Sequence, residues 1–452
     1  MKAIICGATQ IGYSIAAYLA AKENDIIVID ESAERIAYVQ ETLDVQAIQG
    51  CGAHPDLLES LGAASADLLI AVMQSDEQNI ISCQIADSLF KIPKKIAHIR
   101  NQSYLNSVWI KKPEYKIPID YIISPEQQVA RVILSNLQVP GTMEVVSLTN
   151  SHTVVISIHM NAHCPMNNIP LQQIGEQFPQ MPFRALTIIR HDHFIIPQAK
   201  DYLQANDMVY ILIEKVKLQK FLSVFAINSE PIQRLVVAGG GNVGFYLAQG
   251  IQQSMPNVDL KIIESNKDRA QLLAQSLESA VVLHGSAVDI NVLKEANVAQ
   301  SDMFVAITND DATNILSSLL AKNFGCLRVS TLVSNIMYPK FLPSLGIDSI
   351  LNPSFVTISK VLNHVRRGLI QSVHVLQGGS GEIFEATVAH GSEVIGSPIS
   401  VLEHDKQSMV AGLIRDHVFS MPHSADIIEE GDQLILVLAS KFIPKIEAMF
   451  RT

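Results

Sequence analysis

Short apolar runs alternate with amphipathic stretches of helical length through the first third of the chain, and the same alternation returns near its middle. AIIC before Gly7, DIIVID closing at Asp30 and DLLIAV closing at Val72 are continuous in their apolar character rather than alternating with polar positions. Strands covered by helices on both faces read this way. All are far shorter than the run of about 20 apolar residues that a membrane-spanning helix requires. The pattern in each half is β-α-β-α-β-α-β, which calls for a parallel sheet with helices on both sides.

The two halves are copies. AIICGATQIG (Ala3 to Gly12) returns as LVVAGGGNVG (Leu235 to Gly244), and DIIVID returns as LKIIES around Glu264. AIQGCGAHPDLL pairs with VLHGSAVDINVL, matching Gly50 to Gly285. SADLLIAVMQSDEQN pairs with QSDMFVAITNDDATN, matching Asp67 to Asp302 and Asn79 to Asn314. A near-constant offset between matched segments is the mark of a duplication. Each copy is followed by a strand-rich tail: EVVSLTN, HTVVISIHM, FRALTIIRHDHFIIP and DMVYILIE in the first, SVHVLQ, IFEATVAH, MVAGLIRDHVFSMP and DQLILVLA in the second. The predicted fold class is α/β: two Rossmann-like doubly wound parallel-sheet domains, each followed by a small α+β domain. The expected boundaries are 1–138, 139–228, 229–370 and 371–452, with the seam between copies near Asn228 to Pro231.

Composition narrows the function classes. Nearly half the 452 residues are apolar, 17% are charged and the formal net charge is −11. A net acidic chain argues against nucleic acid and anionic lipid as partners, since both require concentrated basic surface. Five cysteines (Cys6, Cys51, Cys83, Cys164, Cys326) are dispersed without a CxxC pair, so reduced structural thiols are expected and a zinc or redox motif is not. The start of the chain lacks a signal-peptide layout, which predicts a soluble cytosolic protein.

The sharpest chemistry lies in two loops. Gly239, Gly241 and Gly244 complete GxGxxG directly after a strand and at the start of a helix. The first glycine permits the tight turn, the second lets the backbone approach a pyrophosphate, and the third lets helix and strand pack closely. Free N–H groups at the helix start then favour phosphate. Glu264 closes the following strand, where a carboxylate can bond ribose hydroxyls, and Asp30 holds that place in the first copy. Both carboxylates would repel a 2′-phosphate, favouring NAD or an adenosine phosphate over NADP. The first loop, Gly7-Ala8-Thr9-Gln10-Ile11-Gly12, departs from the fingerprint at Thr9. That side chain either crowds the pyrophosphate or turns its hydroxyl to a phosphate oxygen, and a vestigial first site is an open alternative.

With the glycine loops, Asp30 and Glu264, the SDEQN and DDATN turns, and an IR…P…D pattern in both tails, the chain resembles proteins with tandem RCK (regulator of potassium conductance) domains. Within them it is similar to the peripheral regulatory subunits of bacterial Trk potassium uptake systems, over essentially its whole length. The resemblance implies a cytosolic homotetramer of two-module chains, eight modules in all, docked beneath a Trk-type membrane potassium-translocating subunit. It also implies control by NAD(H), ATP or ADP. The implied ligand contacts in the first copy are Gly7, Ala8, Thr9, Gln10, Ile11, Gly12, Asp30, Met73, Gln74, His98 and Arg100. In the second they are Gly239, Gly240, Gly241, Asn242, Val243, Gly244, Glu264, Thr308 and Asn309. His98 stands where the family often has arginine, Ala312 replaces the acid at Glu77, and Val333 falls near the place of Arg100, so the two sites are expected to differ.

An NAD-dependent oxidoreductase is the rival reading, and a scaffold indifferent to nucleotides is another. Hydride transfer requires an acid/base group beside the nicotinamide, and none of the 14 histidines sits in a recognisable catalytic setting. His191 and His193 flank Asp192 in a predicted hairpin turn, His163-Cys164 reads as a surface loop, and His54-Pro55 as a helix cap. Neither a catalytic residue nor a metal site is expected. Arg190 and Arg415 are expected to pair with carboxylates across a domain interface. The apolar stripes of Val129 to Leu137 and Ser354 to Val365 call for burial against a neighbouring module.

Overall fold

The computed structural model describes residues 1–22, 24–105, 117–148, 152–191, 193–227, 229–335, 338, 342–365, 370–376, 379–404 and 406–450. Asp192 and Asn228 lie outside them, and with them the centre of the His191–His193 turn and the start of the seam. The described residues form four sheets.

The first sheet contains β1 (Lys2–Cys6), β2 (Asp25–Asp30), β3 (Gln46–Gln49), β4 (Leu68–Ala71), β5 (Lys94–His98) and β6 (Tyr121–Ile123). They run parallel in the order β3-β2-β1-β4-β5-β6. The apolar runs seen in the sequence are these strands: Ala3, Ile4, Ile5 and Cys6 are wholly buried, as are Leu68, Leu69, Ile70 and Ala71. Chain order reverses between β1 and β4, and a crevice at such a switch point is where ligands bind in open α/β sheets.

The second sheet holds β7 (Glu144–Ser147), β8 (Thr153–His159), β9 (Phe183–Arg190), β10 (His193–Ile195) and β11 (Met208–Glu214), antiparallel in the order β10-β9-β11-β8-β7. The duplicate of the parallel sheet follows: β12 (Arg234–Ala238), β13 (Asp259–Glu264), β14 (Ala280–His284), β15 (Met303–Ala306), β16 (Arg328–Leu332) and β17 (Ser349–Leu351), in the order β14-β13-β12-β15-β16-β17. The last sheet is β18 (Ile370–Val375), β19 (Gly381–Thr387), β20 (Ser408–Arg415), β21 (Val418–Ser420) and β22 (Gln433–Ala439), in the order β18-β19-β22-β20-β21.

Two compact units divide the chain, and their boundary does not follow the repeat. One comprises Met1–Pro125 with Ser354–Gly368, the other Glu126–Pro353 with Leu369–Thr452. The helix that follows each parallel sheet therefore belongs to the other unit. In the first unit, helix Pro353–Val365 brings Ser354 to within 3.0 Å of Ser14, Oγ to Oγ, and stacks the His364 ring on Tyr121 with centroids 3.3 Å apart. Lys94 donates to the Val365 carbonyl at the helix end. In the second unit, helix Pro125–Gln138 sets Leu134 against Gly250, where an added Cβ would meet the Leu134 Cδ2 at 2.8 Å.

The two antiparallel sheets of the second unit share one apolar core. Tyr210 and Leu212 of β11 pack with Ile383, Ile435 and Val437 of the last sheet. Arg184 crosses between them, donating to the carbonyls of Val410 at 2.9 Å and Pro422 at 3.0 Å. Glu144 of β7 lies 3.3 Å from His374 of β18 and accepts from the Tyr210 hydroxyl at 3.1 Å.

Arg190 and Arg415 do pair with carboxylates, but inside their own sheets rather than across an interface. Arg190 grips buried Asp207 with Nε at 2.8 Å and Nη2 at 2.7 Å, and Arg415 grips buried Asp432 with both at 2.8 Å. Each aspartate also accepts a turn N–H, from Gln204 and Glu429 respectively. A bidentate guanidinium–carboxylate pair beneath a turn fixes that turn. Two smaller expectations need correction. Cys164 is buried in the core of the second sheet while His163 beside it is exposed. His54 precedes its helix as foreseen, but its side chain makes no capping bond.

Candidate functional site

Both glycine loops lie at the switch points of their sheets. Gly7 and Gly239 have φ of +114° and +112°, a region that only glycine enters cheaply. An added Cβ would stand 2.7 Å from the Val72–Met73 backbone in the first copy and 2.8 Å from the Ile307–Thr308 backbone in the second. At Gly12 and Gly244 a Cβ would fall 1.8 and 2.1 Å from the carbonyl oxygens of Gly7 and Gly239. The helices Gln10–Ala20 and Asn242–Ser254 therefore start directly on the strand ends.

The middle position separates the two loops. Thr9 is the N-cap of the first helix: its hydroxyl donates to the Val72 carbonyl at 3.0 Å and accepts from the Gly12 N–H at 3.4 Å. The hydroxyl is thus turned into the protein. Gly241 is the N-cap of the second helix, makes no side-chain cap bond, and faces space where a Cβ would meet nothing within 4 Å. An uncapped helix start under open space suits a phosphate group, since its first N–H groups have no intrahelical partner.

The strand-end acids hold the loops. Asp30, buried, accepts from Ala8 N–H at 2.6 Å through one oxygen. Its other oxygen takes Ser32 N–H at 2.8 Å and the Nε and Nη2 of Arg35 at 3.1 and 2.8 Å. Glu264 accepts from Gly240 N–H at 2.8 Å and Asn266 N–H at 2.7 Å. Arg269, which holds the place of Arg35 in the second copy, does not reach this acid through a hydrogen bond. It donates from Nε to the Gly240 carbonyl at 2.7 Å and from Nη2 to the Gly241 carbonyl at 3.2 Å.

Buried asparagines brace the opposite wall. Asn79 accepts from Met73 N–H at 2.8 Å and donates to the carbonyls of Met73 and His98 at 3.1 and 2.9 Å. Asn314 repeats this at Thr308 N–H, Thr308 O and Leu332 O, at 2.8, 3.0 and 3.0 Å. Asp76 accepts from the N–H groups of Arg100 and Asn101, and Asp311 from those of Ser334 and Asn335. Glu77 accepts from Ser75 at 2.6 Å and Tyr104 at 2.7 Å, and those bonds, Ser75 foremost, hold its carboxyl down at about 2. Nothing equivalent forms at Ala312.

Among the sequence-predicted residues, the loop members, Asp30, Glu264, Met73 and Thr308 come together around each switch point. Gln10, Gln74, Asn242 and Asn309 are exposed, Ile11 and Val243 half-buried. His98 is buried under the β5 end, while Arg100 is exposed and Val333 wholly buried. Sequence reasoning overlooked Arg35, Arg269, Asn79 and Asn314 as site residues. The signal was present: each recurs at the matching position of the other copy.

Among the described residues no helix is long and apolar enough to cross a membrane, and no group of three or more His, Cys, Asp or Glu side chains is placed to hold a metal ion. The TrkA-N domain model matches residues 3–125 and 235–353. The Trk system potassium uptake protein TrkA of Azorhizobium caulinodans is 38% identical over 452 residues, covering 100% of this chain and 99% of that protein. Its namesake from Halomonas elongata is 35% identical over 456 residues, with 100% and 99% covered. Among solved structures, the GsuK RCK domain matches with a TM-score of 0.62 at 15% identity, over 99% of this chain and 95% of that one. A GsuK channel bound to NAD matches with a TM-score of 0.62 at 15% identity, over 99% and 78%.

Proposed function

We propose, because this chain belongs to the TrkA family of Trk system potassium uptake proteins, that it is the nucleotide-binding regulatory subunit of such a system. Its effector is NAD(H) or an adenosine phosphate, ATP or ADP, received at the two glycine loops. One observation carries the reading: Gly241 presents an uncapped helix start under open space, with the Glu264 carboxylate at the neighbouring strand end. A diphosphate would lie against the N–H groups of that helix start, and an adenosine ribose beside Glu264 or, in the first copy, Asp30.

The ligand acts as a signal and not as a reagent. The walls of both crevices are built from backbone amides, asparagines and carboxylates already engaged in holding loops, and these can recognise a nucleotide without transferring a proton to it. The chain works as a cytoplasmic, peripheral homotetramer on a Trk-type membrane potassium-translocating subunit. Gating follows from differential affinity: a tenfold preference per site for one state of the assembly is worth about 1.4 kcal/mol, and sites in a ring multiply it.

Calorimetric titration of the purified chain with NADH, ADP and ATP tests this. Saturable binding with NADH unconsumed is expected. Flat heats with all three ligands, or oxidation of NADH with turnover, would overturn it.

A further inference from the structure

We infer that Arg269 is a phosphate contact of the second loop, one that the first loop lacks; the inference rests on reading that loop as a nucleotide site. Arg269 lies in the first turn of helix Lys267–Ser276, set there by the cap in which Asn266 Oδ1 accepts its N–H at 2.9 Å. From that turn the guanidinium lies across the loop, bonded to the carbonyls of Gly240 and Gly241, with its carbon 5.8 Å from the Phe245 ring centroid. It thus holds the carbonyl of Gly241, the residue at which an added Cβ would meet nothing within 4 Å.

The first copy carries the same residue with a different allegiance. Arg35 gives both Nε and Nη2 to one oxygen of Asp30. Glutamate is one methylene longer: Glu264 holds the amides of Gly240 and Asn266 as Asp30 holds those of Ala8 and Ser32, yet Arg269 bonds neutral carbonyls rather than the acid.

That difference decides what each arginine can do when a phosphate arrives. A guanidinium facing an anion adds direct Coulomb attraction to its hydrogen bonds, which a neutral carbonyl cannot supply, and its planar fork fits a phosphate edge. Moving Arg269 from a carbonyl to a phosphate oxygen exchanges a neutral acceptor for an anionic one, a net gain. Moving Arg35 would exchange one anion for another and strip a buried carboxylate of the cation it pairs with, leaving it only the amides of Ala8 and Ser32. Arg269 therefore favours ligands bearing a phosphate chain, a nucleoside diphosphate or a dinucleotide, over the bare nucleoside.

The full-length chain tests this by hydrogen exchange, reading the peptides over residues 7–13 and 239–247 separately during titration with ADP and with adenosine. In Arg269→Gln the ADP midpoint at the second loop should rise about tenfold, the scale of one charged hydrogen bond, while the adenosine midpoint stays put. Arg269→Lys should recover part of the loss, and the first-loop ADP midpoint in Arg269→Gln should stay within about twofold. An unchanged ADP midpoint in Arg269→Gln, or equal losses for ADP and adenosine, would reduce the residue to a loop brace and overturn the inference. Wild-type loops that no adenine ligand protects would instead sink the nucleotide reading, and this inference with it.

Discussion

Nε and Nη2 of Arg35 converge on a single oxygen of Asp30, at 3.1 and 2.8 Å, while the other oxygen holds the Ala8 amide at 2.6 Å. The carboxylate thus ties strand end, loop and following helix together before any ligand is considered. In Asp30→Ala the Ala8 amide loses its acceptor and, on the proposed function, a ribose loses its anchor. Affinity for NADH or ADP at the first loop should fall about tenfold, the worth of a hydrogen bond to a charged group, with the second loop unaffected. Calorimetry resolved by loop checks it, and unchanged first-loop binding would remove the ribose contact from Asp30.

Thr9 caps its helix at the expense of the space above it. Thr9→Gly should cost about 0.3 kcal/mol of stability through the lost cap, glycine being a fair N-cap itself, while freeing the Gly12 N–H and raising adenine-nucleotide affinity at the first loop. Thermal unfolding and titration on the same sample would show the two effects moving in opposite directions. Lower stability without a gain in affinity would mean that Thr9 does not obstruct the ligand.

Asn314 is wholly buried and joins Thr308 to the end of β16 through both amide atoms. Asn314→Ala strands the Thr308 amide and two carbonyls. A loss of about 3 kcal/mol is expected from unpaired buried polar groups. Urea unfolding measures it, and a loss below about 1 kcal/mol would show that the strand ends re-pair locally.

Glu382 of β19 is wholly buried, and burial first, then the nearby charge of Glu447, pushes its carboxyl well above the usual range. The unfolded chain releases this proton near the ordinary value of about 4.3, while the folded chain keeps it. The folded state binds more protons over that window, so the contribution of Glu382 to stability is fully present below it and falls as pH rises, by up to about 1.4 kcal/mol per unit. Glu382→Gln should stabilise the protein at neutral pH and flatten the profile of melting temperature as pH rises above the ordinary carboxyl range of about 4.3. An identical slope in wild type and variant would refute the assignment.

The duplication, the parallel sheets and the glycine loops were legible because backbone demands constrain residue type strongly. A turn at φ near +112° admits glycine, and a strand covered on both faces stays apolar throughout. Other features depended on side chains whose partners are distant in sequence. Thr9 was seen as either obstacle or ligand, and its hydroxyl proved to serve the helix start and the Val72 carbonyl. Arg269 reads in isolation as a solvated first-turn residue, since nothing local tells whether it will face Glu264 or the Gly240 carbonyl. The stripes of Val129 to Leu137 and Ser354 to Val365 announced that they needed cover, but amphipathicity is silent about which sheet provides it.

That last arrangement makes the two copies inseparable. Cutting the gene product at its internal repeat would leave each fragment carrying a helix whose seat had departed, and missing the one that belonged on its own sheet. What began as a duplication has become a single obligate piece, so half-length versions should be recovered only when both halves are expressed together.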